Sequence, residues 1–287
     1  MKPAPFDYIG AVTVAEAVAV LGADDEAKVI AGGQSLAPLL ALRLARPTVL
    51  VDVGRLPLAG VAVDGDVIEV GALVRHRRLE TDPLLAQEAP LLPLAARHIG
   101  HVAIRNRGTL GGSVAHADPA AELPAVLLAL DAEVMVQGVA GPRSLRAIDL
   151  FEGFFTTALE PDELIVSVRV PRATASDAYA FEEWAPRHGD FATAGIAVVG
   201  SFTDGACTNV RGAASGVGAV PVDLSGVLAE SGVVGAPAAS APLVRAVASA
   251  VRTECAGDDD RAELAGLLAG RAIATMFGRA PAARAVA

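Results

Sequence analysis

Two glycine pairs are the residues of this chain whose types and spacing could do chemistry. Gly32-Gly33 and Gly111-Gly112 each close an apolar run, and a small polar residue and a predicted helix follow each pair. Glycine lets the main chain come close to a ligand because it has no Cβ, and successive backbone N–H groups in such turns form a concave nest for phosphate oxygens. Hydroxyl side chains flank the turns, namely Ser35, Thr109 and Ser113. Two turns that close on a pyrophosphate from opposite sides predict a dinucleotide cofactor.

The spacing of these glycines differs from the commonest nucleotide-binding motifs. A G-x-G-x-x-G fingerprint needs three glycines in one strand-to-helix turn, and a Walker A loop needs Gly-Lys-Ser/Thr. Neither pair has either pattern. One pair alone could simply end a strand in a chain with 29 glycines, but both occur in the same local setting. The sequence therefore favours a dinucleotide site of another type.

Charge and composition exclude several classes of protein. The net charge of −10 disfavours nucleic acid, because a nucleic-acid-binding protein normally carries a basic face. No apolar run approaches the roughly 18 residues that span a bilayer, so we expect no transmembrane segment. The N-terminus has no signal-peptide pattern, which predicts a cytoplasmic protein.

The sequence predicts no metal site in this chain. Its two cysteines, Cys207 and Cys255, lie far apart and outside any C-x-x-C spacing. They cannot hold a four-cysteine iron–sulfur cluster, and they do not indicate a disulfide framework. The five histidines form no H-E-x-x-H pattern.

A predicted βαβ unit within residues 1–54 positions the first glycine turn. Residues 28–31 and 48–53 are typical of short buried strands, and residues 35–45 between them are typical of a helix. A capping box at Thr13 predicts an earlier helix up to Leu21. The turn then lies at the carboxyl edge of a parallel sheet, where open α/β sheets bind ligands.

The rest of the chain predicts two further domains and an α+β fold. Residues 55–171 predict a mixed α+β domain, with a hairpin over 60–70, helices at 83–98 and 123–130, and strands at 133–137 and 164–170. Residues 172–287 predict a three-stranded antiparallel sheet at 179–184, 193–202 and 206–213, followed by helices at 222–230, 242–255 and 258–277.

Three segments, as a set and in this order, resemble one known family over essentially the whole chain. They are Ala31-Gly32-Gly33-Gln34-Ser35-Leu36, Thr109-Leu110-Gly111-Gly112-Ser113 and Gly189-Asp190-Phe191-Ala192-Thr193-Ala194. The family is the FAD-binding medium subunit of molybdenum hydroxylases, which includes carbon monoxide dehydrogenase and xanthine dehydrogenase. The resemblance implies a two-domain FAD-binding unit of the vanillyl-alcohol-oxidase type, with FAD between the first two domains.

The resemblance also implies which residues contact FAD. Both glycine turns would hold its pyrophosphate, Ile99 and Ile165 match apolar residues near the flavin ring, and Glu122 stands where an Asp lies on the adenosine side. The expected cofactor-binding set is Ala31, Gly32, Gly33, Gln34, Ser35, Leu36, Ile99, Thr109, Gly111, Gly112, Ser113, Glu122 and Ile165. No catalytic acid or base is expected, because the redox chemistry belongs to the cofactor.

Four positions depart from the family pattern. Ser113 stands where Asn is common, and Glu122 replaces the shorter Asp. The stretch Phe181–Trp184 has no Lys where several relatives place one near the flavin. Gln34 stands where carbon monoxide dehydrogenases have His, in Ala-Gly-Gly-His-Ser, and relatives that act on N-heterocycles or other organic substrates often carry Gln there.

The implied function is electron transfer within a larger enzyme. Substrate would be hydroxylated at a molybdopterin site on a large subunit, and electrons would pass through [2Fe–2S] clusters on a small subunit to FAD and then to an external acceptor. The resemblance implies a dimer of heterotrimers. Two alternatives remain open: a free-standing FAD-dependent oxidoreductase, and a nucleotide-binding module without turnover.

Overall fold

The N-terminal part of the protein is a three-stranded parallel sheet with strand order β1-β3-β2. The computed structural model describes residues 2–187, 189–234 and 241–281. The first elements are β1 (Asp7–Gly10), α1 (Val14–Ala23), β2 (Lys28–Ile30), α2 (Leu36–Ala41) and β3 (Val49–Asp52). The predicted βαβ unit is therefore confirmed as β2, α2 and β3. Strand β1 was not predicted, because Asp7 and Tyr8 are exposed and no buried run marks it.

The middle part combines a five-stranded antiparallel sheet, of order β4-β5-β10-β6-β7, with short helices. Its elements are β4 (Val61–Asp64), β5 (Val67–Gly71), α3 (His76–Thr81), α4 (Pro83–Glu88), α5 (Leu91–Ala96), α6 (Val102–Arg105), α7 (Leu110–His116), α8 (Glu122–Ala129), β6 (Glu133–Gly138), β7 (Gly141–Arg146), α9 (Ala147–Leu150), β8 (Phe151–Gly153), β9 (Thr156–Thr157) and β10 (Leu164–Pro171). The single helix predicted over 83–98 is two helices, because Pro90 has no N–H to continue the ladder of α4.

The C-terminal part is an antiparallel sheet of order β11-β12-β13-β14, with helices packed on it. Its elements are β11 (Asp177–Trp184), β12 (Ala194–Thr203), β13 (Ala206–Ser215), β14 (Val222–Asp223), α10 (Ser225–Glu230), α11 (Ala241–Arg252) and α12 (Asp259–Gly278). The sheet has four strands rather than the predicted three, because the start of the helix predicted at 222–230 pairs with β13 as a two-residue strand.

Hydrophobic cores link these parts. Leu73 and Leu164 pack with the N-terminal core, and Tyr179 and Phe181 pack with the middle core. The domain boundaries at residues 54 and 171 therefore stay a prediction. No helix among the residues that the structure describes is long and apolar enough to cross a membrane.

Candidate cofactor-binding site

The first glycine turn lies at the carboxyl edge of the parallel sheet, between β2 and α2. Gly33 adopts φ +70°, a left-handed conformation that side chains with a Cβ rarely take. The Gln34 amide donates to the Gly32 carbonyl at 3.1 Å and braces the turn. The five backbone N–H groups from Gly32 to Leu36 donate to no other described residue. They form a nest of free donors, which is the arrangement that binds phosphate oxygens.

The first glycine turn packs against the residues directly before the second turn. A Cβ added to Gly32 would lie 2.3 Å from the Arg107 carbonyl oxygen and 2.9 Å from the Gly108 Cα. The Arg75 guanidinium donates to that same Arg107 carbonyl. Gly32 is therefore required for the packing of the first turn against Arg107 and Gly108, and the prediction that both turns serve one site stays a prediction.

The second turn uses most of its donors internally. Gly111 N–H donates to the Ala72 carbonyl at 2.8 Å, Gly112 N–H to Thr109 Oγ1 at 3.2 Å, and Ser113 N–H to the Thr109 carbonyl at 3.0 Å. Within the described ranges, the Thr109 N–H and the Ser113 hydroxyl have no hydrogen-bond partner. The second turn thus offers two donors, against five from the first turn.

His76 supports the second turn through hydrogen bonds, and no motif in the sequence predicts this role. Its ring is buried, with 5% exposed, and Nε2 donates to the Thr109 carbonyl at 2.9 Å. Its backbone N–H donates to the Gly108 carbonyl at 3.0 Å. Burial lowers the pKa of His76 to about 4, with the nearby Arg105 and Arg75 charges acting in the same direction. The imidazole is therefore neutral at physiological pH.

We expect the neutrality of His76 to make the protein acid-sensitive. His76 takes up a proton near pH 6.5 in the unfolded chain but only near pH 4 in the folded chain. As the pH falls from 6.5 to 4, protonation therefore favours the unfolded chain, and the free energy of unfolding decreases. Between pH 7.5 and pH 5 the free energy of unfolding should fall by about 2 kcal/mol more in wild type than in His76→Gln. Denaturant titrations at both pH values measure the difference; equal losses in the two proteins would disprove the assignment.

Arg105 fixes the loop that carries Ile99. Its Nη1 donates to the carbonyls of Ile99 at 3.0 Å and Gly100 at 2.8 Å, and its Nε donates to Glu80 at 2.9 Å. Arg105 is 5% exposed, so these bonds satisfy a buried cation. Ile99 and Ile165 both belong to the middle hydrophobic core, with 8% and 4% exposed.

Glu122 is buried at the first position of α8, close to a second carboxyl that sequence reasoning missed. Burial raises the pKa of Glu122 to about 8, and the charges of Glu183 and Asp118 raise it further while Arg105 opposes them. Burial also raises the pKa of Glu183 to about 7. The alternation of side chains along a strand could have predicted the position of Glu183. Glu183 lies two residues after the buried Phe181 on β11 and therefore points to the same face of the sheet.

The third sequence segment, Gly189–Ala194, packs beside the start of α6. A Cβ added to Gly189 would lie 2.3 Å from the ring of His101. Thr193 N–H donates to the Trp184 carbonyl at 2.9 Å, which ties the segment to β11. A cavity of about 450 Å³ next to this segment is lined by residues that include Asp118, Phe155, Ala192, Gly216 and Arg261.

A nest of N–H groups at the carboxyl edge of a parallel sheet is typical of a nucleotide-binding protein of mixed α+β type. Residues 4–173 match the family described as "FAD binding domain in molybdopterin dehydrogenase". The chain belongs to this family, the FAD-binding medium subunits of molybdenum hydroxylases. The resemblance inferred from the three segments, the α+β fold and FAD as the cofactor of this chain are thereby confirmed.

Individual relatives cover most of the chain. It is 47% identical over 214 residues to the 6-hydroxypseudooxynicotine dehydrogenase complex subunit alpha of Paenarthrobacter nicotinovorans, which covers 74% of this chain and 72% of the relative. It is 42% identical over 217 residues to the nicotine 6-hydroxylase medium subunit of the same organism, covering 75% and 76%. The solved carbon monoxide dehydrogenase from Hydrogenophaga pseudoflava that lacks the Mo-pyranopterin moiety matches with a TM-score of 0.91 and 34% identity, over 98% of this chain and 100% of that one.

Proposed function

We propose that this chain binds FAD non-covalently across the two glycine turns and transfers electrons from [2Fe–2S] clusters on a partner subunit to an external acceptor. The observation that carries the proposal is the run of five free backbone N–H groups from Gly32 to Leu36, an anion cradle with no other occupant among the described residues. When bound, FAD supplies the redox centre, which accepts electrons from one side and releases them on the other.

Each predicted site residue has a role in this proposal. Ala31 leads into the nest of Gly32 to Leu36, which binds the pyrophosphate, and the Thr109 N–H and Ser113 hydroxyl add donors from the second turn. Gly111 and Gly112 shape that second turn. Ile99 and Ile165 provide apolar surface for the flavin ring, and Glu122 provides a polar group on the adenosine side of the cofactor. No residue is assigned as a catalytic acid or base.

The electron donors are proposed to lie on partner subunits. Cys207 and Cys255 are both free and buried, and no group of three or more potential metal ligands occurs in the described part of the chain. We therefore propose a small iron–sulfur subunit and a large molybdopterin subunit, assembled with this chain as a dimer of heterotrimers. A cytoplasmic location stays a prediction.

An N-heterocyclic substrate for the whole complex is the second element of the proposal. The two relatives quoted above are named for nicotine and a nicotine derivative, and Gln34 occupies the position that differs from carbon monoxide dehydrogenases. The pocket that selects the substrate would lie on the large subunit.

Non-covalent binding can be tested by acid precipitation. We expect one FAD per chain in the purified complex and its complete release into the supernatant, because every contact proposed for the cofactor, at the flavin ring as well as at the pyrophosphate, is a hydrogen bond or apolar packing. Absorbance at the flavin band measures both quantities. Yellow colour retained in the washed pellet would show a covalent link instead.

A further inference from the structure

A cavity of about 310 Å³ lies between the C-terminal sheet and the end of α8. One wall is apolar: Tyr179 and Val199 are buried partners on β11 and β12, and Leu130, which follows α8, is 3% exposed. Arg211, the partner of Val199 on β13, also lines the cavity. Pockets that bind small molecules measure about 300–1,000 Å³, so this cavity is large enough for a small ligand.

The cavity is separate from the expected cofactor site. No residue of the expected FAD-binding set, all of which the structure describes, lines it. On β11 the cavity is lined by Asp177 and Tyr179, whereas Glu183, whose charge acts on Glu122, lies at least four residues further along the strand. Four residues of a strand span about 13 Å. Phe181, on the same face between Tyr179 and Glu183, packs in the middle hydrophobic core. A ligand in the cavity would therefore be distinct from FAD.

Arg211 is a fixed cation with free hydrogen-bond donors. Its Nε donates to the carbonyl of Ala129, the last residue of α8, at 3.2 Å, and this bond holds the half-buried guanidinium in place. The two Nη groups donate to no residue in the described ranges, and no described carboxylate forms an ion pair with Arg211. The parallel N–H donors of a guanidinium match the two oxygens of a carboxylate. Arg211 thus provides one preformed half of a bidentate contact.

The other charged residues of the cavity limit the charge of the ligand. Arg172 is already paired with Glu88, at 2.6 Å between Nε and Oε2. Asp177 accepts a hydrogen bond from Ser201 Oγ at 2.7 Å, and no cation among the described residues forms an ion pair with it. Its carboxylate opposes a second negative charge in the same small space. The cavity therefore favours a ligand with one carboxylate, placed on Arg211, and an otherwise uncharged body.

We propose that this cavity binds a small organic carboxylate, whose two oxygens accept hydrogen bonds from the Arg211 guanidinium and whose body packs on Tyr179, Val199 and Leu130. A volume of about 310 Å³ equals roughly ten water-sized volumes of about 30 Å³, so the ligand has about ten non-hydrogen atoms. Leu130 belongs to the middle part and Arg211 to the C-terminal sheet. The bound ligand therefore connects the two parts and stabilises the folded chain.

Benzoate and benzamide are a matched pair of probes, because they have the same size and differ in the group that meets Arg211. Isothermal titration of the purified native protein should give a dissociation constant for benzoate below about 1 mM, and benzamide should bind at least about tenfold more weakly. Benzoate should also raise the temperature of unfolding more than benzamide does at the same concentration. Equal affinities for the two probes would overturn the proposal.

Inorganic phosphate distinguishes a carboxylate site from a general anion site. Phosphate is largely a dianion at pH 8, and Asp177 opposes its second charge. It should therefore bind at least about tenfold more weakly than benzoate and should not displace it. Phosphate that binds as tightly as benzoate would overturn the assignment to an organic carboxylate.

The variant Arg211→Gln tests whether the probe binds in this cavity. It should bind benzoate at least about tenfold more weakly and should lose the preference for benzoate over benzamide. Arg252→Gln is the matched control, because it makes the same change of charge on α11, where Arg252 bonds to Asp259 at 2.9 Å. The control should bind benzoate as wild type does. Wild-type affinity in Arg211→Gln would overturn the proposal.

A second variant, Asn209→Trp, leaves the bond between Arg211 and Ala129 intact. Asn209 is an exposed residue of β13 that lines the cavity, and its side chain forms no hydrogen bond to a described residue. Tryptophan is common in strands, and its ring would fill the cavity. This variant should abolish benzoate binding, and circular dichroism checks its fold. Unchanged benzoate affinity in folded Asn209→Trp would overturn the proposal even if Arg211→Gln does not fold.

Discussion

Replacing Gly33 by valine is expected to lower FAD affinity by at least about 100-fold, which equals the loss of about two hydrogen bonds to a charged group. Gly33 has φ +70°, and valine, being β-branched, disfavours that conformation. The side chain itself has room, because the nearest atom to a Cβ would be Ile30 Cδ1 at 3.5 Å. The strain should therefore reorient the N–H groups of the nest rather than disrupt the core.

The matched control is Gly65→Val in the hairpin between β4 and β5. Gly65 has φ +61°, and no atom lies within 4 Å of an added Cβ. Both variants should lose similar stability in thermal unfolding, of about 1–2 kcal/mol or more for the left-handed conformation, but only Gly33→Val should lose FAD. Full FAD occupancy in Gly33→Val would contradict the proposal that this turn binds the pyrophosphate.

The isolated chain, loaded with FAD, is expected to show no turnover of the substrate of the native complex. This chain has only two cysteines and thus cannot ligate the clusters that we propose as the electron donors. It should still pass electrons from an artificial reductant to a dye. Adding the small and large subunits should restore the full rate, measured as substrate-dependent dye reduction.

A singly expressed, metal-free chain that matched the rate of the native complex would contradict the subunit assignment. That result would favour the free-standing flavoenzyme left open by the sequence. Restoration by the large subunit alone would contradict the proposed iron–sulfur relay.

The glycine turns were predictable from the sequence, but the reasons for their glycines were only partly so. The strand before Gly32 and the helix after it follow from periodicity. Contact between Gly32 and Arg107 joins segments about 75 residues apart in the chain, and local pattern carries no information on it. Gly111 likewise is needed because its Cβ would lie 2.6 Å from the Ala72 Cβ. A valine at Gly111 would therefore disturb packing as well as cofactor binding.

Buried polar groups were the least predictable part of the site. His76 and Glu183 are ordinary polar residues in the sequence, and their shifted pKa values arise from burial by distant elements. Arg105 supports the loop that carries Ile99 through bonds to the Ile99 and Gly100 carbonyls, and no local pattern in the sequence specifies these partners. Strand β7 was missed because four of its six residues are exposed and no buried apolar run marks it.

The cofactor and metal content of the native complex, purified through a tag on this chain, tests the central claim most directly. We predict one FAD for each copy of the chain, with iron at four atoms and molybdenum at one atom per FAD, because two [2Fe–2S] clusters and one molybdopterin centre are expected on the partners. Flavin without iron or molybdenum would contradict the assignment to a molybdenum hydroxylase, and a complex without flavin would contradict the cofactor site itself.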